Sequence, residues 1–437
     1  MPVLTDFRRL TRPQRHSFVA AFLGWTMDSL DYFILILCAP AIAAEFHTKP
    51  SAVMGAVFLT LAFRPVGAVV FGLLADRYGR RPVLMANILS FSAIELACAF
   101  APSLGVLLAL RGVFGLAMGG EWGVGAALVF ETLPAEGRGM FSGILQEGYA
   151  MGSILAAGAF ALFFHGIAWR WIAIPAIGWR GLFILGSLPA LLIFYVQARV
   201  QESPVWLEGQ QHRLARTANP TGCPTLGAYL FLRLGWDAST LAQLRAFLPT
   251  FLFLVVLMTA FMSFSHGTQD VYPTFLATQA HLTPRTVGLI GVLYGLGSIA
   301  GGFVFGALSE RWGRKRAFVT AALLAIPVIP LYAYGHAALT LGIGAVLMQF
   351  MVQGAWGVVP AYLTELSPAP LRATAPGFAY QLGGLLTAYN GKAQALLAER
   401  TGNYPAVLAV TVVVVALALV GLALLGREAK GQQMTAT

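Results

Sequence analysis

The chain has 437 residues, of which 58% are hydrophobic and 11% are charged, and its formal net charge at pH 7 is +10. Soluble domains carry about 25% charged residues, so a soluble fold of this length is excluded because it would lack polar surface. The three cysteines, Cys38, Cys98 and Cys223, lie far apart, so the sequence predicts neither a disulfide framework nor a metal site.

Twelve apolar stretches are long enough to cross a bilayer, since a spanning helix needs about 20 mostly apolar residues. The first six are predicted at 17–43, 52–75, 82–101, 104–130, 139–165 and 175–199. The last six are predicted at 247–276, 284–309, 315–334, 338–365, 371–397 and 404–426. The polar segments are an N-terminal segment (1–16), a linker (200–246) and a tail (427–437), and the apolar stretch Leu226–Leu234 favours a short surface helix in the linker.

The distribution of Lys and Arg predicts the orientation. Of the 28 basic residues, twenty fall on the side of the N-terminus, five on the other side and three inside predicted spans. Short cytoplasmic loops are enriched in Lys and Arg, so we expect both termini to be cytoplasmic and the chain to lie in the inner (plasma) membrane. The positive charge therefore reflects topology, and no nucleic-acid partner is predicted.

The chain contains an internal repeat at an offset of 234 residues. The segment Gly72-Leu-Leu-Ala-Asp76-Arg77-Tyr-Gly79-Arg80-Arg81 matches Gly306-Ala-Leu-Ser-Glu310-Arg311-Trp-Gly313-Arg314-Lys315. The same offset pairs Glu131 and Arg138 with Glu365 and Arg372, and Gly120–Gly123 with Gly354–Gly357. One offset that serves three separate motifs predicts two related halves.

The repeated motif resembles the G-x-L-x-D-R-x-G-R-R signature of the major facilitator superfamily, after the second and eighth spans. Glu202-Ser-Pro-Val-Trp206-Leu, after the sixth span, resembles a further signature of its sugar and organic-acid branches. The resemblance implies an all-α membrane fold of two pseudo-symmetric six-helix bundles, 17–199 and 247–426. It also implies a solute site near the midplane, between the halves.

The charged residues of the repeated motifs lie at predicted helix ends on the cytoplasmic side. Opposite charges there can hold the inner side closed and release it when the halves move apart, and in the superfamily these motifs resemble such gates. Anchoring of helix ends is the alternative, but anchoring needs no acidic residues. The predicted gating residues are Asp76, Arg77, Arg80, Arg81, Glu131, Arg138, Glu310, Arg311, Arg314, Glu365 and Arg372.

Ionisable residues inside predicted spans mark a candidate pathway, because charge is costly in lipid. With a helical rise of 1.5 Å per residue, Asp31 lies about 21 Å above Ser17 and Arg64 about 18 Å above Asp76, so the two are expected to meet near the midplane. The predicted site gathers Asp28, Asp31, Tyr32, Arg64, Glu121 and His266. Glu95 and Arg111 are expected to be structural.

Arg64 is the predicted contact for a substrate carboxylate, since a guanidinium matches two carboxylate oxygens. The alternative is a permanent ion pair with Asp28 or Asp31 that holds the first two spans together. Trp122 and Trp356, related by the repeat, are expected to line the cavity.

The seventh span resembles the lactate and pyruvate permeases of the sialate/lactate–proton symporter branch. Ser265, His266, Thr268, Gln269, Asp270 and Thr274 match six of seven motif positions, and Met262 replaces an Asn. In the eleventh span, Ala379-Tyr-Gln381-Leu-Gly383 resembles the same branch, with Gly384 where Asn is common. The resemblance implies substrate contact at His266, Gln269 and Gln381, and proton coupling at Asp270.

The chemistry of His266 and Asp270 agrees with proton exchange, because they lie one helical turn apart and a histidine titrates near neutral pH. A helix-capping network before Pro273 is the alternative. Further candidates for the coupling proton are Asp28, Asp31 and Glu121.

The favoured function is proton-coupled symport of a small monocarboxylate such as lactate or pyruvate. The alternatives are symport of a larger sugar acid such as sialic acid, or of a sugar, and a membrane sensor that binds solute without moving it. No nucleophile–base set is present, so an enzyme is not expected. The expected partners are a small anionic solute, protons as the coupling ion, and lipid, with no cofactor or metal, in a monomer.

Overall fold

The computed structural model describes residues 10–48, 50–134, 137–164, 167–169, 172–174, 177–218 and 238–431. Most of these residues are helical. Among them the strands are β1 (Ile167–Trp169) and β2 (Ile172–Ile174), which pair antiparallel between the fifth and sixth predicted spans.

The helices of the first half follow the six predicted spans in order. They are α1 (Arg12–Glu45), α2 (Pro50–Tyr78), α3 (Arg80–Ala99), α4 (Leu104–Gly119), α5 (Glu121–Thr132), α6 (Arg138–Gln146), α7 (Gly148–Ala159), α8 (Gly178–Gly186) and α9 (Leu192–Arg199). A single π-helical turn, Phe160–Phe164, continues α7.

Among the described residues of the predicted linker, α10 (Pro204–Ala218) comes first, and α11 begins at Ala238, inside the predicted linker, and continues into the second half. The surface helix expected at Leu226–Leu234 lies outside the described residues. The remaining helices are α11 (Ala238–Gln269), α12 (Tyr272–Thr278), α13 (Pro284–Trp312), α14 (Arg314–Ala325), α15 (Ile329–Ala333), α16 (Ala338–Trp356), α17 (Val359–Leu366), α18 (Thr374–Thr387), α19 (Asn390–Thr401) and α20 (Tyr404–Leu425).

Within the described residues, ten helical segments are long and apolar enough to cross a membrane. The predicted fifth and eleventh spans are not among these ten, and in the structure they consist of α6 and α7 and of α18 and α19. The observed helices match the twelve predicted spans in order. The prediction of an all-α, multi-pass membrane protein is therefore confirmed.

The fifth span was predicted as one continuous helix, and this was wrong at Glu147. Gly148 packs closely on α1, where an added Cβ would lie 3.0 Å from Cδ1 of Trp25. The indole N–H of Trp25 donates to the carbonyl of Gln146 at 3.3 Å, so a side chain satisfies a carbonyl at the end of α6. Packing against α1 thus compensates for the break.

Helices from the two halves meet on the side where α1 begins and α20 ends. We name this side, formed by residues 76–80, 131–134, 137–138, 310–314 and 365–372, the inner face. The contacts are backbone to backbone: a Cβ on Gly72 of α2 would lie 2.6 Å from Cα of Thr374 in α18, and a Cβ on Gly123 would lie 3.0 Å from Cα of Gly377. In α6, Gly143 contacts the backbone of Gly302 in α13. Small residues permit such close contact, and the inner face is closed.

Candidate functional site

The first half contributes a buried charge cluster to the inner face. Arg80 starts α3 after Gly79, whose φ of 109° is accessible to glycine and disfavoured for other residues. The Arg80 guanidinium donates two hydrogen bonds to Glu131, from Nε at 3.0 Å and from Nη2 at 2.9 Å. Its Nη2 also lies 3.1 Å from Asp76. The repeated motif thus builds a bidentate ion pair between α3 and the end of α5.

The second half repeats this cluster with the same geometry. Arg314 donates to Glu365 from Nε at 3.1 Å and from Nη2 at 2.9 Å, and to Glu310 from Nη1 at 2.8 Å. Gly313 has a φ of 96° at the turn that corresponds to Gly79. The internal repeat of the sequence therefore also holds for the hydrogen bonds that these side chains form.

The acidic residue of each motif also contacts the opposite half. Asp76 accepts hydrogen bonds from the backbone N–H of Ala373 at 3.2 Å, from that of Thr374 at 3.3 Å, and from Oγ1 of Thr374 at 2.6 Å. Glu310 accepts from the backbone N–H of Gly139 in α6. Each carboxylate thus binds the N-terminal end of a helix from the other half, where the helix dipole favours negative charge.

The remaining predicted gating residues separate into two groups. Arg372 lies 3.8 Å from Glu131 of the other half, and Arg138 is within electrostatic range of Glu365. By contrast, Arg77 packs over the ring of Tyr78, Arg81 donates to the carbonyl of Gln197, and Arg311 is exposed. The positions of these last three arginines indicate helix anchoring rather than contact between the halves.

Two glutamates of the inner face were not selected from the sequence. Glu202 accepts hydrogen bonds from the backbone N–H groups of Arg80 at 3.0 Å and Arg81 at 3.1 Å, which have no partner within the first turn of α3. Glu428 accepts from Arg314 at 2.8 Å and from the next N–H at 3.2 Å, at the start of α14. Glu202 belongs to the motif after the sixth span, which was the available signal, and Glu428 occupies the matching place after the last span.

Between the helices of the first half, a second charge cluster is centred on Arg64. Arg64 forms a buried ion pair with Asp28, and Sδ of Met118 lies 3.7 Å from its Nη2. Glu121 is within electrostatic range of both charges, and neither of its oxygens has a hydrogen-bond partner. Tyr32 is within electrostatic range of the same pair. Four of the predicted site residues are therefore brought together.

The expected meeting of Asp31 with Arg64 is wrong. Asp31 faces α8, where an added Cβ on Gly186 would lie 2.7 Å from its Oδ1, and both of its oxygens lack a hydrogen-bond partner. Its neighbours are Glu95 and Arg111, which form an ion pair of 2.9 Å. Asp31 thus belongs to a separate cluster behind the Arg64 pair.

Arg111 is enclosed more completely than expected for a residue near a helix end. Its guanidinium lies 4.6 Å from the ring centroids of both Phe114 and Phe183. Together with Glu95, it joins α3, α4 and α8 in the interior. This contact pattern agrees with the structural role predicted for the pair.

The second half contributes His266 and Asp270 at the end of α11. Nδ1 of His266 lies 3.2 Å from Oδ1 of Asp270, and the side chains are 38% and 39% exposed. Gln269 donates to Oγ of Ser265. The residue before α12 is Val271 and no side chain caps that helix, so the helix-capping alternative is not supported. Asp270 is within electrostatic range of Tyr32 in the other half.

An aromatic cluster closes the inner end of the space between the halves. The ring centroid of Tyr380 lies 4.5 Å from that of Trp122, 5.7 Å from that of Trp356 and 6.0 Å from that of Trp25. Trp356 donates its indole N–H to the carbonyl of Phe261 at 3.2 Å. Trp25 and Tyr380 were not selected from the sequence, although the repeat offset relates Tyr380 to Gln146 beside the break in the fifth span.

Several buried hydrogen-bond donors around this cluster have no acceptor. They are the indole N–H of Trp122, the side-chain amide of Gln381 and Nε of Arg64. Buried donors are normally paired, and each unpaired one carries a desolvation cost. The arrangement fits a ligand that is rich in acceptor oxygens.

Comparison with known proteins supports this fold. A family model described as "Sugar (and other) transporter" matches residues 17–219, and one described as "Major Facilitator Superfamily" matches residues 252–435. The solved structure of a proton:xylose symporter superposes with a TM-score of 0.74 at 17% identity, covering 96% of this chain and 97% of that one.

Several relatives are named for the solutes they carry, among them a yeast protein and a bacterial one. A carboxylic acid transporter protein homolog of Saccharomyces cerevisiae is 27% identical over 91% of this chain, which spans 63% of that protein's length. A sialic acid transporter of Escherichia coli is 26% identical over 98% of this chain and 97% of its own length. The two family models together cover most of the chain, and the fold agrees with them. The chain belongs to the major facilitator superfamily of membrane transporters, which are not enzymes.

Proposed function

We propose that this chain is a transporter of organic acids, and that it moves a small monocarboxylate such as lactate or pyruvate together with a proton. The observation that carries this proposal is the set of unpaired buried donors around Arg64, Trp122 and Gln381. The yeast relative, named for carboxylic acids, supports the solute class.

The chemistry of these donors favours an anion with two equivalent oxygens. Arg64 already uses Nη2 for Asp28, and its Nε remains free. A carboxylate that accepts from Nε, from the indole of Trp122 or from the amide of Gln381 would satisfy groups that the protein leaves unpaired.

Proton coupling is supported by the charge balance inside the first half. Four buried carboxyl groups, Asp28, Asp31, Glu95 and Glu121, share two guanidinium groups, Arg64 and Arg111. An unpaired carboxylate is costly in a low-dielectric interior, so the surplus carboxyl groups are expected to carry protons.

His266 and Asp270 supply the exchange step of the proposed cycle. Both remain partly exposed and lie one helical turn apart, so a proton can pass between them and water as the solute arrives. With one proton moved per monovalent anion, the step is electroneutral and a pH gradient drives uptake.

In alternating access, the inner face would serve as the gate on the cytoplasmic side. In the proposed cycle, the Asp76 and Glu310 contacts hold the closed conformation, and their release opens the site to the cytoplasm. Cytoplasmic placement of this face rests on the excess of basic residues there.

A larger sugar acid is the second candidate. A small cleft in the second half borders Gln269 and is lined also by Tyr294 and Gln349. The bacterial relative named for sialic acid favours this alternative, because the cleft offers amide and hydroxyl groups to a polyol chain.

The deciding experiment measures pH-driven uptake by purified protein in proteoliposomes. Radiolabelled lactate should accumulate when the outside is acidic, and unlabelled pyruvate should compete while glucose should not. Stronger competition by sialate than by lactate would favour the sugar-acid candidate. Solute binding without flux in either direction would contradict transport altogether.

A further inference from the structure

Glu147 is a buried carboxyl group that the proposed site does not use. It lies in the break between α6 and α7 and is 6% exposed. Its Oε2 is 3.4 Å from Oγ of Ser298 in α13, and its Oε1 has no hydrogen-bond partner. An added Cβ on Gly302 would collide with the same carboxyl group. The group therefore faces directly across the contact between the halves.

The repeat places Glu147 at the depth of the solute site. The offset of 234 relates Glu147 to Gln381 and Ser298 to Arg64. One contact between the halves, α2 against α18, carries Arg64 and Gln381. The other contact, α6 and α7 against α13, carries Ser298 and Glu147. At equivalent depths, one contact between the halves thus carries a guanidinium group and the other carries a carboxyl group.

No cation compensates the Glu147 carboxyl group among the described residues. From α1, the neighbours of the adjacent Gly148 are Phe22, Trp25 and Thr26, none of which titrates. Two further backbone groups pack against this contact. Gly357, which follows α16, touches Gly302, and the backbone N–H of Ala361 in α17 donates to Oγ of Ser142.

Tyrosines flank Glu147 on the helices of this contact. Tyr149 lies on α7, Tyr294 is one turn from Ser298 on α13, and Tyr380 of α18 is hydrogen-bonded to Gln146, while Asp270 is within electrostatic range of Tyr149 and Tyr294. The nearest charges on the same contact are Glu310 and Arg314, which touch Gly139 about 12 Å along α6. A carboxyl group without a cation is neutral in such surroundings.

We propose that Glu147 is a proton-binding site of the transport cycle, which rests on the proposed proton coupling. With the inner face closed, the carboxyl group holds one proton, and its Oε2 accepts a hydrogen bond from Oγ of Ser298. When the backbone contact between Gly143 and Gly302 separates, water reaches the carboxyl group. The O–H bond then breaks, the proton passes to water on the cytoplasmic side, and the carboxylate is hydrated. The break at Glu147 lets α6 move without α7.

The test compares Glu147→Gln, which is permanently neutral, with Glu147→Asp, which keeps an acid. We expect Glu147→Gln to exchange labelled for unlabelled solute at equal pH within about threefold of the wild-type rate, since exchange needs no net proton release. We expect its accumulation under a pH gradient to fall at least about tenfold, and Glu147→Asp to restore part of it. Wild-type accumulation by Glu147→Gln would overturn the proposal.

A second measurement separates this proposal from the proposed function. Distances between spin labels on the inner ends of α2 and α13 report opening without any solute. We expect raising the pH from 5 to 8 to open the inner face of the wild-type protein, with a smaller response in Glu147→Gln. Equal responses would overturn the assignment, even if the wild-type protein moved no lactate. Failure of wild-type lactate uptake with a response that depends on Glu147 would instead refute only the proposed solute.

Discussion

Neutralising Asp76 should shift the equilibrium between the closed and open inner face. Asp76 accepts three hydrogen bonds from Ala373 and Thr374 of the opposite half, and these are broken on opening. Its ion pair with Arg80 lies within one half, so we expect it to persist when the halves separate. Hydrogen bonds to charged groups contribute about 1.5–3 kcal/mol net, against about 0.5–1.5 kcal/mol for neutral ones.

The expected magnitude follows from this difference. Asp76→Asn keeps an acceptor oxygen but loses the charge at the start of α18, so we expect the closed state to lose about 2 kcal/mol. This corresponds to roughly a 30-fold change in the ratio of closed to open protein, since 1.4 kcal/mol is tenfold.

The assay is the distance between spin labels at Tyr78 and Trp312, two exposed positions that the repeat relates across the halves. The matched control is Glu202→Gln, which removes a carboxylate that binds the start of α3 within the first half. The control should lower thermal stability without changing the label distances. A shift below about twofold for Asp76→Asn, or an equal shift in the control, would refute the reasoning.

Four further predictions follow from the same contacts. Arg64→Lys keeps the charge but loses the planar fork, so the KM for lactate uptake should rise at least about tenfold, and an unchanged KM would contradict solute contact. Asp270→Asn should still exchange solute but should not concentrate it in a pH gradient; continued accumulation would move the coupling proton to another carboxyl group. Gly377→Val should disfavour closure by about 1–3 kcal/mol, because an added Cβ would lie 3.1 Å from Cα of Gly123, and unaltered label distances would contradict this. Burial opposes ionisation of Glu45, but hydrogen bonds from Arg180 and Trp179 hold its pKa below the usual value. The stabilisation that ionised Glu45 gives to the folded protein is therefore complete at pH values above the usual pKa of a glutamate. It is lost as the pH falls through the lower pKa of the folded state. Glu45→Gln should lower Tm slightly at pH 7, by the equivalent of less than about 1 kcal/mol for this partly exposed pair, and by a smaller amount at pH 3; an equal difference at both pH values would contradict the assignment.

The repeat was the most informative feature of the sequence. An offset of 234 predicted that Arg80 and Arg314 occupy equivalent places, and both form bidentate pairs with a glutamate 51 residues later. The offset also relates Glu147 to Gln381, which became apparent only when the structure placed Glu147 against the opposite half. A repeat predicts equivalence, but it does not state what each residue faces.

Depth along a helix was less informative than direction around it. The rise per residue predicted that Asp31 and Arg64 lie at similar levels, but it did not show which helix each side chain faces. Asp28 faces α2 and pairs with Arg64, whereas Asp31 faces α8 and lies near Arg111. Hydropathy likewise did not predict the break at Glu147, because that break depends on the packing of Gly148 against α1.

The glycine contacts between the halves have a thermodynamic consequence. Where Gly123 meets Gly377 and Gly143 meets Gly302, the two halves join through the backbone atoms of glycines. Bringing them together therefore freezes few rotamers, and each long side chain spared this restriction avoids up to about 2 kcal/mol of lost entropy. The two end states can then differ little in free energy, so the differential affinity of one small solute is enough to favour either of them.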